Sequence, residues 1–257
     1  MTRAAEQAIF GVGRIHHLLS PRQRQNLLSA AIDLGFRAFD VAPAYGNGVA
    51  ERELGRALRG RRDRMEINSK VGIPIRIYPA IAGRMFPVFR ALDLLGGVHA
   101  RCYQRRDFSA THIRASVEAS LRRLQTDRID TLFLHEPLTP FASAERETIV
   151  SCLESLRGQG KILRFGVAGS LDAWNALRVE PLGTALQCPL SSASSPSARE
   201  LLRDRKPMFY GAYALYSAGP RGGSFGEFMR AQLHDLPGAR MILSSTDRSR
   251  LRALVSP

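Results

Sequence analysis

The sequence predicts a (β/α)8 barrel. Short apolar runs alternate with helix-like patterns along the whole chain, and eight such strand–helix units can be traced. The length of 257 residues is usual for a barrel of this kind. A hydrophobic content of 44% supplies enough apolar material for a large core. We therefore expect one barrel domain over residues 1–257, with a long loop insertion at about 72–108.

Apolar periodicity and glycine or capping residues place the individual elements. Strands are predicted at 9–12, 36–41, 65–70, 129–135, 162–167, 185–188, 208–214 and 241–243. Helices are predicted at 21–34, 51–58, 111–124, 144–159, 171–177, 197–203, 225–234 and 247–255. The first helix has the clearest boundaries, because Ser20 can cap it, Pro21 suits its first turn and Gly35 can end it.

Composition narrows the class of protein. No run of about 18 apolar residues predicts a membrane span, and the first residues lack an apolar signal region, so a cytoplasmic protein is expected. The cysteines Cys102, Cys152 and Cys188 form no CxxC pair, and neither a metal site nor a disulfide framework is indicated.

The chain is strongly basic, with a net charge of +14. Taken alone, this charge would suggest a nucleic-acid-binding protein. However, 34 of the 37 basic residues are arginines spread along the whole chain, with almost no aromatic residues between them. A solvated basic surface is therefore the favoured interpretation, and nucleic-acid binding remains the less favoured alternative.

Four polar residues carry the functional signal: Asp40, Tyr45, Lys70 and His135. Each lies at the end of a predicted strand or just beyond it, on the face where barrels of this kind place their chemistry. A lysine can stabilise a tyrosinate, a carboxylate can hold that lysine, and an imidazole can bind a substrate oxygen. Singly, each residue could equally be a solvated rim charge or a cap. Together they predict proton transfer to an oxygen.

The segments around these residues resemble the aldo-keto reductases. The resemblance rests on Phe39-Asp40-Val41-Ala42-Pro43-Ala44-Tyr45-Gly46, on Ile67-Asn68-Ser69-Lys70, on the stretch from Ser116 to Pro137, and on Gly160-Lys161-Ile162-Leu163-Arg164-Phe165-Gly166-Val167. It covers roughly residues 9–254. The chain ends at Pro257, where the family often continues into a long loop, so the resemblance implies a short member.

The resemblance implies an NADP(H)-dependent oxidoreductase that interconverts a carbonyl compound (an aldehyde, ketone or sugar) and its alcohol. Tyr45 would be the general acid, Lys70 would stabilise its phenolate, Asp40 would pair with Lys70, and His135 would orient the carbonyl. NAD(H) is the alternative coenzyme. The implied coenzyme-binding residues are Gln187 at the carboxamide, Tyr213 stacked on the nicotinamide, and Ser244, Ser245, Arg250 and Arg248 at the adenosine 2′-phosphate.

One departure from the family pattern bears on function. Ala168-Gly169 stand where many members have Ser-Asn, so one polar contact to the carboxamide is missing. This departure and the short ends motivate an alternative, in which the barrel binds a nucleotide but acts as a non-catalytic regulatory or interaction subunit.

Overall fold

The computed structural model describes residues 8–75, 106–137, 141–171, 182–219 and 223–255. Eight parallel strands pair in sequence order and close into a barrel, with β8 returning to β1. The strands are β1 Ala8–Gly11, β2 Ala38–Asp40, β3 Glu66–Val71, β4 Ile129–His135, β5 Ile162–Ala168, β6 Ala185–Pro189, β7 Met208–Tyr210 and β8 Arg240–Leu243. This closed barrel confirms the predicted fold class.

Helices surround the barrel. In the described residues they are α1 Pro21–Asp33, α2 Val49–Ala57, α3 Ala110–Leu124, α4 Ser143–Gly158, α5 Pro196–Leu202, α6 Ala212–Ala218, α7 Phe225–Leu233 and α8 Arg248–Val255. The predicted helix at 171–177 lies, after its first residue, outside the described part of the chain, and so does most of the insertion at 72–108. The extent of the domain over residues 1–257 stays a prediction.

Local capping explains why α1 forms where the sequence predicts it. The Ser20 hydroxyl accepts a hydrogen bond from the Arg22 amide, and the Gln23 side chain closes a capping box with Ser20. Pro21 occupies the first turn, where its missing N–H costs nothing. Gly35 follows the helix with φ 99°, a conformation that glycine adopts without a steric penalty.

The prediction for the seventh strand was wrong in its second half. The strand was expected over 208–214, but β7 ends at Tyr210 and α6 begins at Ala212. Gly211 separates them with φ 78°, outside the extended region. Aromatic and alanine residues fit a strand or a helix, so the run after Gly211 did not distinguish the two.

Strand alternation directs one set of side chains into the barrel. A buried cluster made only of strand residues fills this interior: Ile9, Ala38, Phe133, Ala168, Met208 and Ile242. A larger cluster joins the outward faces of the strands to the helices. Asp40 lies two residues after Ala38, and His135 two after Phe133, so both face the interior at its carboxyl-terminal rim.

Ion pairs join strands near the opposite mouth of the barrel. Glu66, the first residue of β3, contacts Arg240 of β8 at 2.7 Å and Arg164 of β5 at 3.4 Å. These contacts bridge strands that are not neighbours in the sheet. Polar groups thus lie at both ends of the barrel interior, and the fully buried Asn68 of β3 and Thr131 of β4 lie between them. Among the described residues, no helix has the length and apolar character needed to cross a membrane.

Candidate active site

Asp40 and Lys70 form a buried ion pair at the carboxyl-terminal rim of the barrel. Lys70 Nζ lies 2.7 Å from Asp40 Oδ1 and 2.6 Å from Oδ2, and both side chains are almost fully buried. Burial alone would lower the pKa of Lys70, but the charges and hydrogen bonds of Asp40 and Tyr45 outweigh it and raise that pKa. Lys70 is therefore a buried cation that is kept charged by its partners.

Tyr45 lies beside this pair, in the loop between β2 and α2. Lys70 Nζ lies 5.1 Å from the centroid of its ring. The loop turns tightly, with Gly46, Asn47 and Gly48 all at positive φ. A Cβ at Gly46 would come within 2.4 Å of His16 Cβ, so only glycine allows the close approach that carries Tyr45 to the rim.

His135 completes the group from the end of β4. Its ring centroid lies 6.1 Å from that of Tyr45, with the planes at 89°. Burial, and then the positive charges of Lys70 and Arg106, hold the pKa of His135 well below its usual value. His135 is thus neutral at pH 7, with one ring N–H available to donate a hydrogen bond.

The depressed pKa of His135 gives the folded protein a pH-dependent stability. The folded state resists protonation of His135, whereas the unfolded chain takes up that proton near pH 6.5. We expect this residue to lower the free energy of unfolding by up to about 1.4 kcal/mol per pH unit as the pH falls below about 6.5. Urea unfolding at pH 7.5, 6.5 and 5.5 measures this dependence.

The matched variants for this measurement are His135→Gln and His234→Gln, since His234 is exposed at the end of α7. The His135→Gln variant should lose part of the acid dependence, and the His234→Gln variant should keep it. Equal dependence in the wild type and His135→Gln would contradict a neutral, buried His135.

Gln187 lies within the same hydrogen-bond network. Its Nε2 donates to Asp40 Oδ1 at 2.7 Å, and its side chain is buried at β6. Asp40 therefore accepts from Lys70 and from Gln187 together. In this arrangement Gln187 supports the buried carboxylate, with its Oε1 and second N–H left for any further contact.

These residues enclose a cavity of about 150 Å³ at the rim. Besides the four residues found from sequence and Gln187, its wall contains residues that sequence reasoning missed. The most informative of these are Tyr210 and Glu136. The alternation of side chains along β7 could have found Tyr210, because Met208, two residues earlier, also faces the barrel interior.

Glu136 directly follows His135 and adopts φ 48°, an uncommon conformation for this residue type. Arg106 holds it at two points: Arg106 Nε donates to the Glu136 carbonyl at 3.1 Å and Nη2 contacts Oε2 at 3.0 Å. Nothing in the sequence pattern indicated this pair. It places one acidic and one basic group beside the cavity.

Tyr213 does not lie where the seventh strand would have placed it. It belongs to α6, and the Arg250 guanidinium lies 4.0 Å from its ring centroid. Tyr213 is absent from the residues that line the cavity, whereas Tyr210 is among them. The aromatic side chain nearest the four central residues on β7 is therefore Tyr210.

Ser244 and Ser245 lie in the loop after β8, and Arg248 and Arg250 lie in the first turn of α8, but they face different surroundings. Ser244 lines the cavity. Ser245 is buried, and its hydroxyl is used in a turn with the backbone of Asp247. Arg248 and Arg250 are exposed at the start of α8.

A nicotinamide coenzyme fits these surroundings only in part. Gly11 and Gly13 line the cavity and pack closely against Ser244 and Tyr45: a Cβ at Gly11 would lie only 2.2 Å from Ser244 Oγ. The two exposed arginines suit a phosphate group. The Asp247 carboxylate, however, already accepts from the Ser249 amide at the start of α8, where a phosphate would also bind.

Comparisons with known proteins find a matching family model and similar chains. The model of the Aldo/keto reductase family matches residues 9–192. Over 164 residues, the chain is 33% identical to D-threo-aldose 1-dehydrogenase of Pseudomonas sp., a match that covers 63% of this chain and 48% of that protein. The chain thus spans about half the length of the curated relatives that it matches.

Solved structures extend the likeness over almost the whole chain. An aldo-keto reductase candidate from Pseudomonas aeruginosa is 26% identical with a TM-score of 0.67, covering 97% of this chain and 87% of that one. The fold is also shared with an aldo/keto reductase of Klebsiella pneumoniae, solved with NADP and acetate, at 22% identity, a TM-score of 0.67, and coverage of 97% and 84%.

Proposed function

Because this chain belongs to the aldo-keto reductase family, we propose that it is an NADP(H)-dependent oxidoreductase that interconverts a carbonyl compound and its alcohol. The observation that carries the proposal is the buried Lys70–Asp40 pair beside Tyr45, together with a neutral His135 whose ring lies edge-on to the Tyr45 ring. Such a set of groups can protonate an oxygen at neutral pH. Its position at the carboxyl-terminal rim is the usual place for chemistry in this fold.

The roles of the four residues follow from these contacts. The coenzyme, when bound, supplies the hydride that adds to the carbonyl carbon. The Tyr45 hydroxyl then gives its proton to the carbonyl oxygen, and the Lys70 ammonium stabilises the phenolate that remains. Asp40 keeps Lys70 charged and in place, and His135 donates an N–H to the same oxygen. In the oxidative direction the same proton returns to Tyr45.

The coenzyme assignment rests on the wall of the cavity and on the β8–α8 loop. We propose that Tyr210 and Gln187 lie against the nicotinamide end, and that Ser244, Arg248 and Arg250 hold a phosphate of the adenosine end. Tyr213 supports Arg250 through its ring, because the guanidinium lies 4.0 Å from the ring centroid. The Klebsiella structure holds NADP on the same fold.

The proposed substrate is a small aldehyde, ketone or sugar. The cavity of about 150 Å³ accepts only a few non-hydrogen atoms beside the four central residues. The names of D-threo-aldose 1-dehydrogenase and 6-dehydroglucose reductase, both similar to this chain, favour a hydroxylated carbonyl compound. Glu136 at the wall, with its ion-pair partner Arg106 beside it, offers polar contacts to such a substrate.

Coenzyme oxidation with a panel of carbonyl substrates tests this proposal. With NADPH we expect turnover of at least one small aldehyde or aldose, and a lower rate with NADH. The Arg250→Gln variant should weaken binding of NADPH about tenfold or more, because a charge-assisted contact to phosphate is lost, and should change NADH binding little. Coenzyme binding without turnover of any substrate would instead support the non-catalytic subunit.

A further inference from the structure

A second charged cavity lies on the outside of the barrel, between α2 and α3. Its volume is about 360 Å³. We name this cavity the arginine groove. Its lining residues are Arg52 and Arg56 of α2, Ala119, Arg122 and Arg123 of α3, and Gln125, which follows α3. None of them lines the cavity that contains Tyr45.

The sequence places these arginines on facing sides of two helices. Arg52 and Arg56, four residues apart, lie on one face of α2. Arg122 and Arg123 lie in the last turn of α3, and all four arginines line the groove. The helices touch closely at Gly55, where a Cβ would lie 2.5 Å from the Leu124 carbonyl oxygen. Close packing at this point fixes the distance between the two sets of arginines.

Three carboxylates near the groove, Glu51, Glu53 and Glu118, offset its four arginines only in part, and Glu118, one turn before Arg122, is paired with Lys161. The buried Glu51 pairs with Arg123 at 2.5 Å. Glu53 lies 3.4 Å from Arg56, but it is shared with Arg24 at 3.5 Å.

Arg52 and Arg122, two of the four arginines, form no ion pair or hydrogen bond with a carboxylate among the described residues. Burial, and then repulsion by Arg123, lower the pKa of Arg52 and outweigh the attraction of Glu51 and Glu53.

We propose that the arginine groove binds an oligophosphate, a ligand with two or more adjoining phosphoryl groups. Guanidinium groups bind phosphate oxygens through paired hydrogen bonds, and four of them converge on this groove. A volume of about 360 Å³ exceeds the size of a single phosphate group and suits a chain of them. The proposal is independent of the carbonyl chemistry, because no residue of the groove takes part in it.

Titration calorimetry with inorganic tripolyphosphate tests the proposal, on protein that is first saturated with NADP⁺ so that a coenzyme phosphate site cannot respond. The test variant is Arg52→Gln/Arg122→Gln. The control Arg22→Gln/Arg146→Gln removes the same charge from arginines on α1 and α4. We expect the test variant to lose at least tenfold in affinity and the control less than threefold.

The proposal would be overturned by no binding to the wild type, by equal losses in the two double variants, or by equal affinity for tripolyphosphate and inorganic phosphate. Tighter binding of a single-stranded oligonucleotide than of tripolyphosphate, abolished by the same test variant, would also overturn it in favour of nucleic acid. Arg52 is partly buried, so Arg122→Gln alone, at an exposed position, serves as a second variant with an expected loss of at least threefold. Circular dichroism confirms that each variant is folded.

Discussion

The Tyr45→Phe substitution is expected to lower kcat for NADPH-dependent carbonyl reduction by about 10²- to 10⁴-fold, the usual contribution of a general acid. The substitution removes only the hydroxyl, so the ring stays against Lys70 and His135. Coenzyme affinity should change little, because the hydroxyl acts on the substrate oxygen. Steady-state rates, with NADPH binding followed by fluorescence, measure the two quantities separately.

Tyr216→Phe provides the matched control. Its hydroxyl donates to the Gly223 carbonyl at 3.1 Å, and Tyr216 does not line the cavity. The control should retain wild-type turnover. If Tyr45→Phe turns over substrate as fast as this control, Tyr45 is not the general acid and the proposed roles of Lys70 and Asp40 fail with it.

The Asp40→Asn substitution is expected to reduce the free energy of unfolding by about 3–5 kcal/mol, and also to reduce turnover sharply. It removes the counter-charge of Lys70 while keeping the size of the side chain, and a buried charge without its partner is strongly destabilising. The loss should be larger than for a surface ion pair, which contributes about 0–1 kcal/mol. Urea unfolding followed by circular dichroism gives the comparison.

Two further measurements separate the effect of the unpaired Lys70 charge from other effects of Asp40→Asn: its pH dependence and a double variant. In Asp40→Asn, Lys70 can escape the penalty by losing its proton, so the deficit in stability should shrink between pH 7 and pH 10. The double variant Asp40→Asn/Lys70→Met should be more stable at pH 7 than Asp40→Asn alone, because the unpaired charge is gone. Equal stability of Asp40→Asn and the wild type would show that the pair is not buried as described.

The sequence by itself determined the order of the strands and most of their carboxyl-terminal ends. Each of Asp40, Lys70 and His135 lies at or next to the last residue of its strand, both in the prediction and in the structure. In a parallel barrel these ends share one rim, so strand order was enough to bring the three side chains together. Their local signals are strong because apolar runs end at polar residues.

Strand order alone did not identify the residues whose place at the site depends on contacts between distant parts of the chain. Tyr210 lines the cavity and Tyr213 does not: Gly211 turns the chain from β7 into α6 between them, and even a continued strand would direct Tyr213 away from the barrel interior. Gln187 donates to Asp40, which is 147 positions away in the sequence. Strand alternation holds only up to the end of a strand, and sequence periodicity does not fix that end.

The sequence also determined the amount of charge on the protein, whereas the tertiary structure determined where that charge is concentrated. The sequence established a net charge of +14, and from the even spread of arginines it favoured a solvated surface. Only the packing of α2 against α3 places Arg52, Arg56, Arg122 and Arg123 around one cavity. Residues 70 positions apart become neighbours when two helices pack together, and the energy of a charge depends on which neighbours it acquires.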